Sequence, residues 1–426
     1  MKVVHINKSD TDGGASVAAR RIHTALRKAG VDSHMLVQTK KSDDPFVTAV
    51  SDGRLGHARN FINFVRERLD ILPSERQASL RYNFSIASTG QDVSSHPLVR
   101  DADVIHLHWF NQGFLSLKNL RALARLGKPI VWTLHDMWPF TGGCHYAGFC
   151  LEFDEHCGFC QFLSNQSRND LSAQVFKKKR DIYSGVNLTA VSCSQWLNSF
   201  ASSGALFRHV KCCTIPNPID TAVFRPLDKA QCRRQLGLPL DKKLLLFGAA
   251  KVDDVRKGYR YLDEALRIIS DSFPLLSERI ELLVFGRVKD QNFSPAFKSH
   301  QFDFVSDVDT LVKIYNAADV FVLPSLQDNL PNTVVESMAC GTPVVGFRIG
   351  GVPEMIVHGR TGYLAEVKNC LSLANGIYSM LFFDNVNGRD AVCSHAASLF
   401  GEDTVAQQYI KVYQDAINRN SLNPSV

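Results

Sequence analysis

Short apolar runs and amphipathic stretches alternate along the chain, and this alternation predicts repeated β-α units. In the first half, apolar runs typical of buried strands occur at residues 2–7, 33–39, 102–110, 128–136 and 187–194. The pattern restarts in the second half, at residues 244–250, 280–287, 318–325 and 342–347. Parallel strands joined by helices produce such a pattern. The sequence therefore predicts an α/β fold with two doubly wound, Rossmann-like domains facing each other across a cleft.

The length of the chain supports this division. A chain of 426 residues exceeds one ordinary hydrophobic core and predicts two domains of roughly 200 residues each. We place the N-terminal domain at residues 1–225 and the C-terminal domain at residues 226–400. A helical segment at residues 401–426 is expected to pack back on the N-terminal domain.

Composition narrows the class of protein. The net charge of +6 favours acidic partners, such as phosphorylated substrates or an anionic membrane face. This charge is too small to indicate nucleic acid as the partner, and the sequence contains no nucleic-acid-binding motif, so we expect no nucleic-acid binding. No apolar run approaches the ~20 residues of a membrane span, and the N-terminus lacks a secretory signal, so we expect a cytoplasmic protein. Eleven cysteines, an odd number, favour a reducing compartment.

The stretch at residues 324–346 is the centre of the predicted site. It follows a buried strand and predicts an acidic loop, a short helix and the next strand, with Gly341 as a left-handed end to the helix. Asp328 lies in the loop and Glu336 on the helix, eight positions later. A loop at the carboxyl end of a parallel strand that leads into a helix N-terminus suits an anionic ligand. The alternative is an ordinary β-α-β crossover with two solvated acids.

Three further features are candidates for the same site. Gly13 and Gly14 form a turn between the first strand and the first helix, where backbone N–H groups can approach a ligand, or else a plain tight turn. Arg256 and Lys257 lie in a loop before a helix. His135 ends a strand, at the edge of an open sheet where ligands bind, although a lone histidine is more often structural.

A cysteine cluster occupies residues 142–160. Its members are Cys144, Cys150, Cys157 and Cys160, and the last two form C-x-x-C. Clustered thiols in a reducing compartment favour a structural zinc site, in which His145 or His156 could replace a thiolate. Disulfides and free thiols are the alternatives.

Two stretches of the chain are rich in basic residues. Residues 54–83 alternate apolar side chains with arginines, which predicts either a helix resting on an anionic membrane face or a surface helix packed on its own domain. The helix that carries residues 177–180 is expected to present a solvated basic face.

Several motifs together resemble the retaining GT-B glycosyltransferases of glycosyltransferase family 4, over nearly the whole chain. They are GGAS at 13–16, TLHD at 133–136, IPNPIDTAVF at 215–224, RKG at 256–258, DNLPNTVVESMACGTPVVG at 328–346 and GGVPE at 350–354. The stretch TLHDMWPFTGGCHY is similar to a bacterial surface-polysaccharide subset of that family.

The resemblance implies roles for the acidic and basic residues. Glu336 matches the glutamate that holds the donor ribose, and Asp328 replaces the glutamate that lies against the donor sugar, with a reach shorter by one methylene. Arg256 and Lys257 match the basic pair that neutralises the diphosphate, so catalysis is expected to require no cofactor and the only metal expected is structural zinc.

The resemblance also implies roles for neutral groups. His135 matches the histidine that faces the donor sugar, and Gly13 and Gly14 match the loop that approaches the diphosphate and acceptor. Further donor contacts are expected from Gly286, Asn329, Leu330 and Thr333.

The implied activity is transfer of a hexosyl-type sugar, with retention, from a nucleoside-diphosphate donor on the C-terminal domain. The acceptor, on the N-terminal side, is expected to be a glycan or lipid-linked oligosaccharide of exopolysaccharide, capsule or lipopolysaccharide synthesis, reached by peripheral contact with the inner face of the plasma membrane. The alternative is a GT-B-like sugar-nucleotide epimerase that needs no acceptor.

Overall fold

The computed structural model describes residues 1–252, 254–287, 295, 297–382 and 388–422, which form two compact units. Unit 1 contains Met1–Pro216 and the segment that begins at Val405, and unit 2 contains Asn217–Thr404. The sequence had placed the boundary after residue 225, and the last four residues of its predicted C-terminal segment, 423–426, lie outside the described residues. Each unit is a parallel sheet with helices, which confirms the predicted α/β class.

Unit 1 is built on a seven-stranded sheet with strand order β3-β2-β1-β4-β5-β6-β7. Its strands are β1 (Lys2–Ser9), β2 (Asp32–Thr39), β3 (Val47–Ala49), β4 (Val104–Leu107), β5 (Ile130–Leu134), β6 (Leu188–Ser192) and β7 (Lys211–Thr214). Its first helices are α1 (Gly14–Lys28), α2 (Gly53–Ile71), α3 (Pro97–Asp101), α4 (Leu117–Ala124), α5 (Leu171–Tyr183) and α6 (Gln195–Ser203).

Unit 2 is built on a six-stranded sheet with strand order β10-β9-β8-β11-β12-β13. Its strands are β8 (Lys243–Lys251), β9 (Ile280–Arg287), β10 (Ser299–Phe302), β11 (Val320–Leu323), β12 (Val344–Phe347) and β13 (Gly362–Ala365). Its helices are α7 (Lys229–Gln235), α8 (Tyr259–Ser272), α9 (Pro274–Ser277), α10 (Val308–Ala317), α11 (Asn332–Ala339), α12 (Val352–Met355), α13 (Cys370–Phe382) and α14 (Gly388–Phe400).

The final helix, α15 (Glu402–Leu422), returns the chain to unit 1. Val405, Tyr409 and Tyr413 are fully buried and share a core cluster with side chains of β1, β4, β5 and β6. Burying such rings removes a large apolar area from water, so this helix is an integral part of the core of unit 1.

The strand order locates the ligand-binding edge of each sheet. Order reverses between β8 and β11 in unit 2, and between β1 and β4 in unit 1. In open α/β sheets, ligands bind at the carboxyl ends of the strands that flank such a reversal. In unit 2, the end of β8 leads into the turn that carries Arg256 and Lys257, called the basic turn below, and the end of β11 leads into the acidic loop that carries Asp328. In unit 1, the end of β1 leads to Gly13 and Gly14. No helix among the described residues is both long enough and apolar enough to cross a membrane.

Candidate active site

The basic turn after β8 is a compact, glycine-dependent structure. The Asp254 carboxylate accepts from the Arg256 amide at 2.9 Å and pairs with its guanidinium at 2.8 Å. Gly258 has φ +70°, and a Cβ there would lie 1.9 Å from the carbonyl oxygen of Pro324. Only glycine tolerates both the left-handed backbone and this close approach. The turn is therefore held directly against the end of β11.

The acidic loop after β11 is joined to this turn by two hydrogen bonds. The Leu326 amide donates to the Arg256 carbonyl at 2.8 Å. The Lys257 ammonium donates to Asp328 Oδ2 at 2.8 Å, in an ion pair whose side chains are 28% and 15% exposed. Three of the predicted site residues, Arg256, Lys257 and Asp328, thus meet at the topological reversal of unit 2.

A glycine turn supports the acidic loop from the other side. Gly350 has φ +50°, and a Cβ on it would lie 1.8 Å from the carbonyl oxygen of Asp328. The Gly351 amide donates to the carbonyl oxygen of the buried residue Asn329 at 2.9 Å. The G-G-V-P-E motif therefore fixes the backbone that carries Asp328.

Glu336 lies on α11, which begins just after Pro331. Glu336 is 5% exposed, and its Oε2 accepts from the Tyr315 hydroxyl of α10 at 2.7 Å. A buried carboxylate needs hydrogen-bond donors to offset desolvation, and this hydroxyl supplies one. On the same segment Leu330 is buried and Thr333 is partly exposed.

Gly286 has a structural reason to be glycine. Its φ is +122°, and a Cβ on it would lie 1.7 Å from the carbonyl oxygen of Ala249. It lets β9 approach β8 where their register shifts. Contact of Gly286 with a donor stays a prediction.

In unit 1, the Gly13–Gly14 turn opens α1. Gly13 is the residue before the helix, with φ +85°, and its carbonyl accepts from the Val17 amide at 3.1 Å. No described atom lies within 4 Å of where a Gly13 Cβ would be, so the turn has open space beside it. This geometry leaves room for a ligand at the N-terminus of α1.

His135 follows β5 and is partly exposed. Burial lowers its pKa to about 4, against the opposing effect of Asp136, so the imidazole is neutral at pH 7. The next carboxylate, Asp136, accepts from Trp109 Nε1 at 2.9 Å and from His145 Nδ1 at 2.7 Å. Burial alone would raise the pKa of Asp136, but His145 and the hydrogen bonds outweigh it and lower that pKa. Asp136 is therefore ionised, and its hydrogen bonds hold the loop after β5 in place.

The four clustered cysteines are unbridged, and among the described residues they do not form a group of three or more sulfur atoms within 4.8 Å of one another. Cys144 and Cys157 are buried, and Cys150 and Cys160 are partly exposed. Burial raises the pKa of Cys144 to about 12 and that of Cys160 to about 11, and neighbouring thiols add to both shifts. The Gly142 amide donates to Cys157 Sγ at 3.1 Å. Zinc binding by this cluster stays a prediction.

One expectation from sequence is wrong. The helix face at residues 177–180 is not wholly solvated, because Lys179 is fully buried. Its ammonium donates to the carbonyls of Trp138 and Thr141 and lies 3.4 Å from the centre of the Trp138 ring. The spacing gave a usable signal, since Val175, Phe176, Ile182 and Tyr183 place position 179 on the buried face of α5.

Comparisons with known proteins agree with this architecture. A family model described as "Glycosyltransferase Family 4" matches residues 12–223, and one described as "Glycosyl transferases group 1" matches residues 241–382. A D-inositol 3-phosphate glycosyltransferase of Arthrobacter sp. (strain FB24) is 25% identical over 418 residues, covering 96% of this chain and 91% of the relative. WcaC of Escherichia coli (strain K12), a glycosyl transferase named for colanic acid biosynthesis, is 23% identical over 435 residues, covering 97% and 100%.

A solved structure shows the same fold. Anabaena Alr3699/HepE, in complex with UDP-glucose, has a TM-score of 0.61 at 16% identity, covering 97% of this chain and 100% of that one. The sequence matches extend over both units, and the structural match extends over both parallel sheets. The chain therefore belongs to glycosyltransferase family 4 and has the GT-B fold.

Proposed function

We propose that this glycosyltransferase moves a hexosyl-type sugar, with retention, from a nucleoside-diphosphate donor to a glycan or lipid-linked acceptor of a bacterial surface polysaccharide. The contact between Lys257 and Asp328 at the reversal point of unit 2 carries the proposal. The pairing supports the proposal because a cation suits the diphosphate and an adjacent carboxylate can accept hydrogen bonds from sugar hydroxyls. Two relatives support the class: WcaC is named for colanic acid biosynthesis, and the HepE structure contains UDP-glucose.

In the proposed reaction, the bond between the sugar C1 and the diphosphate oxygen breaks while the acceptor oxygen bonds to C1. The acceptor hydroxyl gives its proton to the departing diphosphate, on the same face of the sugar. Arg256 and Lys257 stabilise the charge that develops on the diphosphate. Glu336, held by Tyr315, binds the donor ribose, and Asp328 binds the donor sugar.

Helix α2 supports a peripheral membrane site for the acceptor. Leu55, Ile62 and Leu69 recur every seven residues, so they share one face, and they are 88%, 61% and 60% exposed. Arg59 and Arg66 lie between them on that face and are exposed. Exposed apolar side chains flanked by arginines suit an anionic bilayer surface, such as the inner face of the plasma membrane.

A donor screen tests the reaction. Purified protein is incubated with single nucleoside-diphosphate sugars and bacterial membrane extract, and both released diphosphate and glycosylated product are measured by mass spectrometry. We expect acceptor-dependent product from one donor class, with the donor's anomeric configuration retained by NMR. Inversion at C1 would contradict retention. Release of a free epimer with no acceptor-dependent product would identify an epimerase instead.

Vesicle sedimentation tests the membrane site. We expect binding to vesicles that contain anionic lipid, little binding to zwitterionic vesicles, and loss of binding when Leu55, Ile62 and Leu69 are all replaced by Ser. Leu275→Ser is the matched control, because Leu275 is 82% exposed on α9 of unit 2. Equal binding by the triple variant and wild type would contradict the site.

A further inference from the structure

Three histidines form a hydrogen-bonded chain that leads from the interior of unit 1 to His135. His5 lies on β1, and its Nδ1 is 2.9 Å from His108 Nε2. His108 directly follows β4, and its Nδ1 is 3.2 Å from His135 Nε2. His5 and His108 are buried, whereas His135 is partly exposed. The partly exposed His135 is thus coupled to two buried histidines.

The chain restricts where protons can lie. Burial lowers the pKa of His5 and of His108 well below the ordinary range, so both rings are neutral like His135. A neutral imidazole has one N–H donor and one lone-pair acceptor. Two consecutive N–H···N bonds can therefore exist only if all three rings donate in the same direction. Two arrangements are available, one donating outward from His5 and the other inward from His135.

The inner end of the chain favours outward donation. His5 Nε2 is buried and has no hydrogen-bond partner among the described residues. Inward donation would place an N–H on this atom, and buried N–H groups without an acceptor are rare in folded proteins. Outward donation leaves only a lone pair there, because the His5 proton lies on Nδ1 and is donated to His108.

The outer end favours the same direction. Cys193 Sγ lies 3.9 Å from His135 Nδ1 and donates its S–H to the Leu134 carbonyl at 3.5 Å. Burial raises the pKa of Cys193 to about 12, so the thiol keeps that proton at pH 7. With its hydrogen directed at Leu134, the sulfur presents lone pairs to His135. An N–H on His135 Nδ1 completes the chain.

We infer that His5 and His108 are positioning residues that hold His135 as its Nδ1–H tautomer. The Nε2 lone pair of His135 then accepts from His108, and Nδ1 carries a hydrogen. His135 acts as a neutral, oriented hydrogen-bond donor and not as a base. The role of this tautomer in sugar transfer rests on the proposed function, in which the diphosphate takes the acceptor proton, but the tautomer itself does not depend on it.

A metal site in the same cluster is the rival explanation. His5, His106 and His108 have nitrogen atoms that all lie within 4.8 Å of one another. However, both nitrogens of His106 are 2.7 Å from hydroxyls, those of Tyr413 and Thr133. A cation would have to break these bonds and also separate His5 from His108. The hydrogen-bonded chain satisfies more of the buried polar atoms, so it is the better account.

The tautomer can be measured without substrate. The full-length protein is labelled with ¹⁵N-histidine, and two-bond nitrogen–proton couplings distinguish Nδ1–H from Nε2–H rings at pH 7. Signals of His135, one of fourteen histidines, are assigned by their loss in His135→Gln. We expect the Nδ1–H pattern. An Nε2–H or doubly protonated His135, or a stoichiometric metal ion that is lost in His106→Ala, would overturn the inference.

Variants then connect the tautomer to turnover. His108→Phe removes the donor to His135, whereas His108→Asn can keep an N–H near the position of Nδ1. We expect His108→Phe to give mixed tautomers and a kcat lower by about 10-fold or more, with donor KM within about threefold, and His108→Asn to restore both properties. If His108→Phe keeps the wild-type tautomer and kcat, the inference is wrong.

His23→Phe is the matched control. His23 is buried beside His5, at a ring distance of 5.7 Å, but its Nδ1 pairs with Ser33 Oγ at 2.7 Å. We expect this variant to leave the tautomer of His135 unchanged, and an altered tautomer would count against the chain. If His108→Phe does not fold, the wild-type spectrum still decides the tautomer. An Nδ1–H ring in a protein without transferase activity would overturn the proposed function alone.

Discussion

The Lys257 ammonium lies 2.8 Å from the Asp328 carboxylate, so the two charged groups proposed to meet the donor are paired with each other. Their side chains are 28% and 15% exposed, a partly desolvated setting in which loss of one partner leaves the other uncompensated. The donor diphosphate would supply a new partner for Lys257 and release Asp328 toward the sugar. The pair therefore keeps the site organised before the donor arrives.

Lys257→Met tests the cation directly. We expect kcat/KM for the donor to fall by about 10²–10³-fold, because charge building on the diphosphate loses an oriented cation. Arg267→Met is the matched control, since its guanidinium is 62% exposed in an ion pair with Asp263 on α8. That variant should change kcat/KM by less than about twofold. Steady-state kinetics decide the matter, and equal losses in the two variants would exclude a specific role for Lys257.

Asp328→Glu tests sugar specificity. The substitution keeps the charge and adds one methylene, which restores the side chain that the family usually has at this position. We expect the ranking of donor sugars by kcat/KM to change while the preferred nucleotide stays the same, because Asp328 is proposed to contact only the sugar. The test uses a panel of donors in which either the sugar or the nucleotide is varied while the other is kept. A change in nucleotide preference would show that Asp328 does not contact only the donor sugar.

Tyr315→Phe tests the support of Glu336. It removes the hydroxyl that lies 2.7 Å from Oε2 of Glu336, a residue that is 5% exposed. We expect donor KM to rise by several-fold with little change in kcat, and stability to fall by about 1–3 kcal/mol. Tyr261→Phe is the control, since its hydroxyl accepts from Arg260 at 2.7 Å on α8. Tyr315 and Glu336 lie in unit 2, whereas all four tryptophans lie in unit 1, so tryptophan fluorescence would not report on this substitution. Scanning calorimetry therefore measures the change in stability.

The secondary structure around Glu336 could be predicted because the residues that begin and end its helix and strands are close together in the sequence. As predicted, the strand β11 precedes the stretch at 324–346, α11 lies within it and β12 begins at its end, and Gly341 has the expected left-handed backbone, with φ +76°. Proline and glycine influence the backbone only within a few residues, so the sequence alone locates the helix ends that they determine. The contact between Lys257 and Asp328 needed the strand order as well, because the two residues are brought together by neighbouring strands β8 and β11.

The histidine chain was beyond the reach of sequence. His5 lies on β1 and His108 directly follows β4, yet about a hundred residues separate them, and only the pairing of these two strands brings them together. In the sequence, each of these histidines stands alone within or just after a buried apolar strand, with no nearby residue that indicates its partner. Lys179 differs, because the 3.6-residue period of α5 already placed it on the buried face.

Lys179 should make stability depend on pH. Burial lowers its pKa to about 7, against the opposing effects of Cys157, Cys144 and Asp136, whereas in the unfolded chain it titrates near 10.5. Between these values the unfolded chain binds more protons, so unfolding free energy rises with pH. From pH 7 to pH 9, wild type should gain up to about 2–3 kcal/mol relative to Lys179→Met. Urea unfolding followed by tryptophan fluorescence reports on unit 1.

Lys178→Met provides the comparison for that experiment. Lys178 is the adjacent residue on α5 and is exposed. Its replacement should leave the pH dependence of unfolding free energy parallel to that of wild type. If the difference between wild type and Lys179→Met is the same at pH 7 and pH 9, Lys179 keeps an ordinary pKa in the folded protein.

Zinc binding by the cysteine cluster makes the last prediction. Thiols with raised pKa values, such as Cys144 and Cys160, are protonated at pH 7, so zinc uptake must release protons. The buried ammonium of Lys179, which interacts with Cys144 and Cys157, would offset the negative charge of a zinc–thiolate centre. We expect about one zinc ion per chain by metal analysis, a lower melting temperature with chelator, and loss of the metal in Cys157→Ser. Cys212→Ser, at a partly buried thiol on β7, should retain it. A chelator-washed protein with unchanged stability and no zinc uptake would leave the four cysteines as free thiols.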